Sequence, residues 1–304
     1  MRILVTGGAG FIGSAFVRYI LDKYPNYQVN VIDNLSTGEL SNFGQCHSNP
    51  NFQFFLGSIS DYFIIELLVE NADVVVNFAN SRNPLDMVST NCEGVQILLE
   101  SIAKSKTKLL HISDYSVYGG YGIHPHREDS LLSPNCPQHA SQAAGDILVQ
   151  GYNKNYNLAS TIIRLVTPYG PFGNPKNNHV SKAIADAILE KPITIPNGSY
   201  EFMSVEDQCK AIDRIMHSKN HAPILNVGSG HRHNMTEIAH MIQKELGHKG
   251  NIIVERSTPP VQYGIDSSRA IHDIGNYPTI DIKKGIKNTV RWYKSNMSWW
   301  KDLM

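Results

Sequence analysis

Gly7, Gly10 and Gly13 stand at the spacing G-x-x-G-x-x-G within Thr6-Gly-Gly-Ala-Gly-Phe-Ile-Gly13. Glycines so placed can cradle a pyrophosphate. The first permits a tight turn, the second lets the phosphates approach the backbone, and the third lets a helix and a strand pack closely. The diphosphate then rests on the unpaired N–H groups and positive end of the helix that follows. Asp33 follows Gly13 by 20 residues, where a carboxylate can bind both hydroxyls of an adenosine ribose. The same carboxylate repels a 2′-phosphate, and Asn34-Leu35 offers no arginine to receive one. NAD is therefore the expected cofactor, rather than NADP. A glycine-rich turn without a ligand is the bland alternative.

A second group of candidates could move protons. Asp114, Tyr115 and Ser116 follow the apolar run Leu109–Ser113, and strand ends of this kind face the crevice of an open parallel sheet. Asp114 or Tyr115 could act as an acid or base, or Tyr115 could simply fill volume.

These residues need a scaffold, and the hydrophobic pattern supplies one. Ile3–Val5, Val29–Ile32, Phe52–Leu56, Asp73–Phe78, Leu109–Ser113 and Ser160–Leu165 read as strands. Helical patterns lie between them at 12–23, 60–70, 87–105 and 138–156. Continuous apolar strands alternating with helices predict an α/β fold, a Rossmann-type doubly wound parallel sheet. Pro168, Pro171 and Pro175 mark a change of pattern. Helices are then expected at 178–190, 205–217 and 234–246, with a Pro-Ile-Thr-Ile-Pro strand after the first. The expected organisation is an NAD-binding domain at 1–165 and a mainly substrate-binding domain at 166–304, some of whose chain returns to the first. The crevice between them is the default ligand site.

Composition narrows the function classes. Lys plus Arg equals Asp plus Glu at 27 each, which gives no electrostatic footprint for nucleic acid or an anionic membrane. No apolar run is long enough for a membrane span. The chain starts on a strand rather than a signal core, and a cytoplasmic location is expected. Cys46, Cys92, Cys136 and Cys209 form no C-x-x-C pair, so no metal or redox site is expected. His124-Pro-His126 and His231-Arg-His233 read as solvated loops.

Along nearly its whole length the sequence resembles the extended short-chain dehydrogenase/reductases, in particular the branch of NAD-dependent nucleotide-sugar 4,6-dehydratases and 4-epimerases. Thr6–Gly13, Asp33-Asn-Leu-Ser-Thr-Gly38, Asn91-x-x-Gly94, Val117-Tyr-Gly119, Arg164 through Tyr169-Gly-Pro171, Phe202–Asp207, Asn226–Gly230, Tyr263–Asp266 and Thr289–Tyr293 match in order. The resemblance implies NAD contacts from Gly7, Gly10, Phe11, Ile12, Gly13, Asp33, Asn34, Ser36, Thr37, Gly38, Ser58, Ile59, Phe78, Ala79, Asn80, Gln142 and Thr167. It also implies a sugar-like substrate and a homodimer formed through the helices at about 87–105 and 138–156. Tyr118, Tyr169 and Arg164 are expected to be structural.

The departures concern the chemistry. The family's Tyr-x-x-x-Lys pair places both side chains on one helix face, where the lysine lowers the tyrosine pKa and the tyrosinate takes the hydroxyl proton. Gln138 and Gln142 occupy those positions, and an amide does not titrate. Tyr115 and Ser116 replace the Asp-Glu pair that drives water elimination in the dehydratases. Tyr200 and Gln262 stand where arginines often clamp the nucleotide diphosphate. Arg82, in a shortened loop, could meet an anionic substrate or be solvated. His139 turns about 100° from the face of the missing dyad, so a packed or exposed role is expected for it. The residues leave three functions open. One is an epimerase- or dehydratase-like enzyme with a non-standard acid/base. Another is an inactive NAD-binding regulator or scaffold. The third is a non-redox lyase or isomerase acting on a substrate without a diphosphate.

Overall fold

The computed structural model describes residues 1–120, 125–255 and 261–304. Six strands alternate with helices up to residue 165: β1 (Arg2–Thr6), β2 (Gln28–Asp33), β3 (Phe52–Leu56), β4 (Val74–Asn77), β5 (Lys108–Asp114) and β6 (Ser160–Leu165). Beyond them come β7 (Thr167–Tyr169), β8 (Ile193–Pro196), β9 (Gly198–Ser204), β10 (Ile224–Val227), β11 (Arg232–Asn234), β12 (Ile252–Glu255) and β13 (Val261–Gln262). The helices are α1 (Phe11–Lys23), α2 (Tyr62–Glu70), α3 (Gly94–Ser105), α4 (Pro137–Tyr156), α5 (His179–Ile188), α6 (Val205–His217), α7 (Met235–Leu246), α8 (Ser268–Ile274) and α9 (Ile282–Ser295).

The central sheet has seven parallel strands in the order β10-β6-β5-β4-β1-β2-β3. All four residues of β4 are buried, because helices cover both faces of the sheet. The order reverses beside β1, between β4 and β2. Such a switch point opens a crevice at the C-terminal strand ends. The seventh strand, β10, arrives from residue 224. Its four residues are too few to show a period.

The helix expected over 87–105 is divided. Ser89–Glu93 forms a π turn, and the α-helix proper starts at Gly94. The turn holds Asn91, whose Oδ1 accepts from the Ser81 N–H at 2.8 Å and whose Nδ2 donates to the Ser81 carbonyl and to Ser141 Oγ. Residues 232–234 are strand β11 rather than loop, paired with β9. His126 bridges to Ile265, and His124 lies outside the described residues.

A line of buried polar contacts crosses the sheet. Thr6 Oγ1 donates to Asn77 Oδ1 at 2.5 Å, and Asn77 Nδ2 donates to His111 Nδ1 at 3.0 Å. His111 Nε2 lies 3.7 Å from Asp146 Oδ1. Arg164 Nε donates to Asp146 Oδ2 at 2.8 Å, with both side chains buried. Arg164 also donates to the Tyr118 hydroxyl, which donates to Asn226 Oδ1. Arg164 and Tyr118 thus have the structural roles expected of them. Asp146→Ala leaves a buried guanidinium without counter-charge, and a loss of about 3–5 kcal/mol is expected in urea unfolding. The double replacement Asp146→Leu with Arg164→Met is expected to cost far less, since it removes both charges.

Candidate active site

A cleft of about 690 Å³ opens at the strand ends and is walled on its other side by β9 and the start of α7. Its lining includes Gly7, Gly10, Phe11, Ile12, Gly13, Asp33, Asn34, Ser36, Thr37, Ser58, Ile59, Phe78, Ala79, Asn80, Gln142 and Thr167. Sixteen of the seventeen expected NAD-contact residues therefore line one cleft. Gly38 is not part of the lining: a Cβ there would meet the backbone carbon of Ala9 at 2.8 Å, so its smallness serves packing.

The turn requires its glycines for different reasons. Gly7 has φ +65°, and a Cβ on it would lie 2.5 Å from the Ala79 nitrogen. A Cβ on Gly13 would lie 2.5 Å from the Gly7 carbonyl oxygen. Gly10 is the N-cap of α1 and offers no side-chain cap, whereas Asn178 caps α5 and Ser204 caps α6. The first-turn N–H groups of α1 are thus left to the cleft, which suits a phosphate. Asp33 Oδ2 accepts from the Ala9 N–H and Oδ1 from the Leu35 N–H, at 2.9 and 2.8 Å. Each oxygen keeps a further lone pair for a ribose hydroxyl. Leu35 adopts φ 58°, the turn that directs its N–H back to Asp33. These residues fit the adenosine diphosphate half of a dinucleotide.

The same cleft holds the candidate proton-handling groups. Asp114, Tyr115, Ser116, Gln138 and Gln142 all line it. Asp114 ends β5, and its Oδ1 accepts the Ser116 N–H at 2.8 Å. Tyr115 is 4% exposed and shares a 2.6 Å hydrogen bond with Thr167 Oγ1. Its ring packs against Tyr263 with centroids 5.0 Å apart. Burial, reinforced by the Asp114 carboxylate, drives the Tyr115 pKa well above its ordinary value. The group is a phenol at neutral pH, able to donate a hydrogen bond and unable to act as a resting base. Ser116 Oγ and Gln142 Oε1 are buried with no hydrogen-bond partner among the described residues.

His139 is not turned away from these groups. It lines the cleft, half-buried, with Nδ1 2.9 Å from Asn135 Oδ1. The helical-wheel expectation fails because α4 begins at Pro137. First-turn side chains lean back past the helix end, and the end itself faces the cleft. Burial holds the His139 pKa below its ordinary value, the Asp114 carboxylate opposes that, and the Arg82 charge adds to it. Tyr200 lines the cleft; Gln262 is not part of its lining, and its N–H donates to the Gly120 carbonyl. Tyr263, from the matched segment Tyr263–Asp266, also lines it, as does His179, which carries no signal in one sequence because its place depends on how a distant loop folds back.

The profile of the NAD dependent epimerase/dehydratase family matches residues 3–228. The chain belongs to that family. It is 29% identical to a dTDP-glucose 4,6-dehydratase of Streptomyces niveus, over 100% of this chain and 96% of that protein. The crystal structure of dTDP-glucose 4,6-dehydratase from Bacillus anthracis in complex with NAD superposes with TM-score 0.94 at 30% identity, covering 100% of both chains. UDP-glucuronic acid 4-epimerase from Bacillus cereus, solved with UDP-glucuronic acid and NAD, superposes with TM-score 0.89 at 28% identity, covering 97% and 99%.

The cradle generates a direct prediction. A Cβ on Gly10 would have only the Gly7 oxygen near it, at 3.3 Å, so Gly10→Val is expected to fold. Its side chain would occupy the pyrophosphate position. NAD affinity by calorimetry is expected to fall at least about tenfold, or about 1.4 kcal/mol, with the thermal midpoint of the apoprotein preserved.

Proposed function

We propose that this chain is an NAD-dependent enzyme that transiently oxidises a hydroxyl of a sugar-like, nucleotide-linked substrate, with Asp114 as the proton-handling group. The observation that supports the reading is Asp114 at the end of β5, within the lining that also holds Gln138 and Gln142. It is the carboxylate among those three residues, and the two amides cannot take a proton. Bound NAD supplies a reversible hydride acceptor. One Asp114 oxygen is held by the Ser116 N–H, which fixes the carboxylate and leaves the other oxygen to accept the hydroxyl proton and later return it. The buried Tyr115 phenol donates rather than accepts, orienting a substrate or cofactor oxygen. Ser116 Oγ supplies a second hydroxyl at the same wall.

Epimerisation fits this site better than dehydration. Elimination needs an acid for the departing hydroxyl, and the family's acid pair is replaced here by Tyr115 and Ser116. The homodimer is proposed through α3 and α4. Ile147 and Tyr156 on α4 are 59% and 45% exposed, which supports a covered face.

Two experiments test these readings. Purified protein is loaded with NAD and mixed with UDP- and dTDP-sugars while NADH absorbance is followed. Asp114→Asn is expected to lower the rate of reduction by about 10² or more, as for loss of a general base. Tyr115→Phe is expected to lower it less. Bound NAD that no sugar nucleotide reduces would favour the inactive regulator or scaffold instead. Separately, Ile147→Glu is expected to convert a dimer to a monomer in sedimentation velocity.

A further inference from the structure

His139 lines the cleft from the first turn of α4 with one ring nitrogen fixed and the other free. Nδ1 lies 2.9 Å from Asn135 Oδ1. An amide oxygen only accepts, so Nδ1 carries the ring proton and Nε2 keeps the lone pair. Asn135 is oriented in turn: its Nδ2 donates to the Tyr263 hydroxyl at 3.3 Å, and the Tyr263 ring packs on Tyr115. Nε2 has no hydrogen-bond partner among the described residues. A ring held by a second group, itself held by a third, is the arrangement of a base rather than of a loose surface imidazole.

The groups around this ring favour its neutral form. Burial and the Arg82 charge hold its pKa below the ordinary value, and the Asp114 carboxylate opposes them. The positive end of α4 also disfavours an imidazolium. Tyr263, pushed up to about 12 by burial, stays a phenol, and Cys136 precedes the helix beside it. The second histidine of the cleft differs: His179 feels Arg82, Glu255 and Lys182 rather than Asp114. His139 is therefore the imidazole whose protonation is tied to the candidate base.

We infer that His139 is a proton relay, its Nε2 receiving the proton that Asp114 takes from the substrate hydroxyl and returning it in the reverse step. The inference rests on the proposed reading of Asp114 as the proton-handling group. The step balances. The reacting carbon loses a hydride to the nicotinamide, its hydroxyl loses a proton to Asp114, and a carbonyl forms. The proton then passes to Nε2, which restores the carboxylate and leaves an imidazolium. In water an imidazole is the stronger base of the two by about 2–3 pKa units, which gives the transfer its direction. No ion pair joins the two side chains, so the proton crosses through a bridging oxygen, of water or of the substrate. The imidazolium then faces a carboxylate rather than a neutral acid, and that charge pair offsets part of its desolvation.

The test has two arms, both on NAD-loaded protein. The first follows the His139 ring signals in NMR against pH. Asp114→Asn removes the group that raises the His139 pKa, so the midpoint is expected to fall, while the His179 midpoint stays in place. The second follows NADH formation against pH with UDP-glucose and dTDP-glucose as probes. The wild-type rate is expected to rise with pH as the His139 signals lose their proton. His139→Gln is expected to abolish that rise and to lower the plateau by about tenfold with KM within about twofold. Added imidazole is expected to restore part of the rate. Asn135→Asp places a carboxylate on Nδ1–H and is expected to move the rise to higher pH. Retained NAD binding checks that each variant is folded. A His139 midpoint unmoved by Asp114→Asn overturns the inference. So does a His139→Gln enzyme that keeps the wild-type pH profile at any rate, since the residue is then structural; the Asp114 reading survives both results. NAD that neither sugar nucleotide reduces, with the NMR coupling present, overturns the reading of Asp114 and the relay with it.

Discussion

The buried ion pair between Asp146 and Arg164 fixes the relation between α4 and the sheet, and the site depends on that relation. Its Coulomb energy need not exceed the desolvation of two charges. Its value is positional. Asp146 lies eight residues beyond Gln138 on α4, and the guanidinium that holds it stands on β6. The same carboxylate faces His111, which accepts from the Asn77 amide. Asn77 Oδ1 in turn accepts from Thr6 Oγ1 and from the Ala79 N–H. Thr6 leads into the glycine turn, and Ala79 opens the loop that ends in Arg82. The Arg164–Asp146 pair and the His111–Asn77–Thr6 contacts meet across the 3.7 Å between His111 Nε2 and Asp146 Oδ1, and together they set the glycine turn, the loop after β4 and α4 against each other. The second tether of α4 is the Asn91–Ser141 bond, beside which Gly145 lets the helix approach the Asn91 carbonyl.

Within that frame Gln138 and Gln142 bring two amides to the cleft, and the phenol of Tyr115 is buried beside the Asp114 carboxylate, which keeps it protonated. With them in the lining are Asp114 at the strand end, Arg82 on the loop, and His139 and His179 at two helix starts. Each sits on an element terminus, where a side chain can reach both the cleft and solvent. The apolar centre of the sheet needs no adjustment to accept them.

Much of this was legible in the sequence and some was not, for definable reasons. The glycine turn, Asp33 and the six strands up to Leu165 are local patterns, and local patterns survive folding when every level agrees. The α/β sheet follows from them. β10 was not legible: its four residues carry no period, and their place beside β6 is a long-range fact. His139 was misjudged because a helical wheel assumes a continuous cylinder, and at Pro137 the cylinder ends. The partner of Arg164 could not be named from its type, since Asp146 is one of many acids on helical positions. Gly38 lies outside the cleft lining, and its close approach to Ala9 is a packing requirement that only the fold shows.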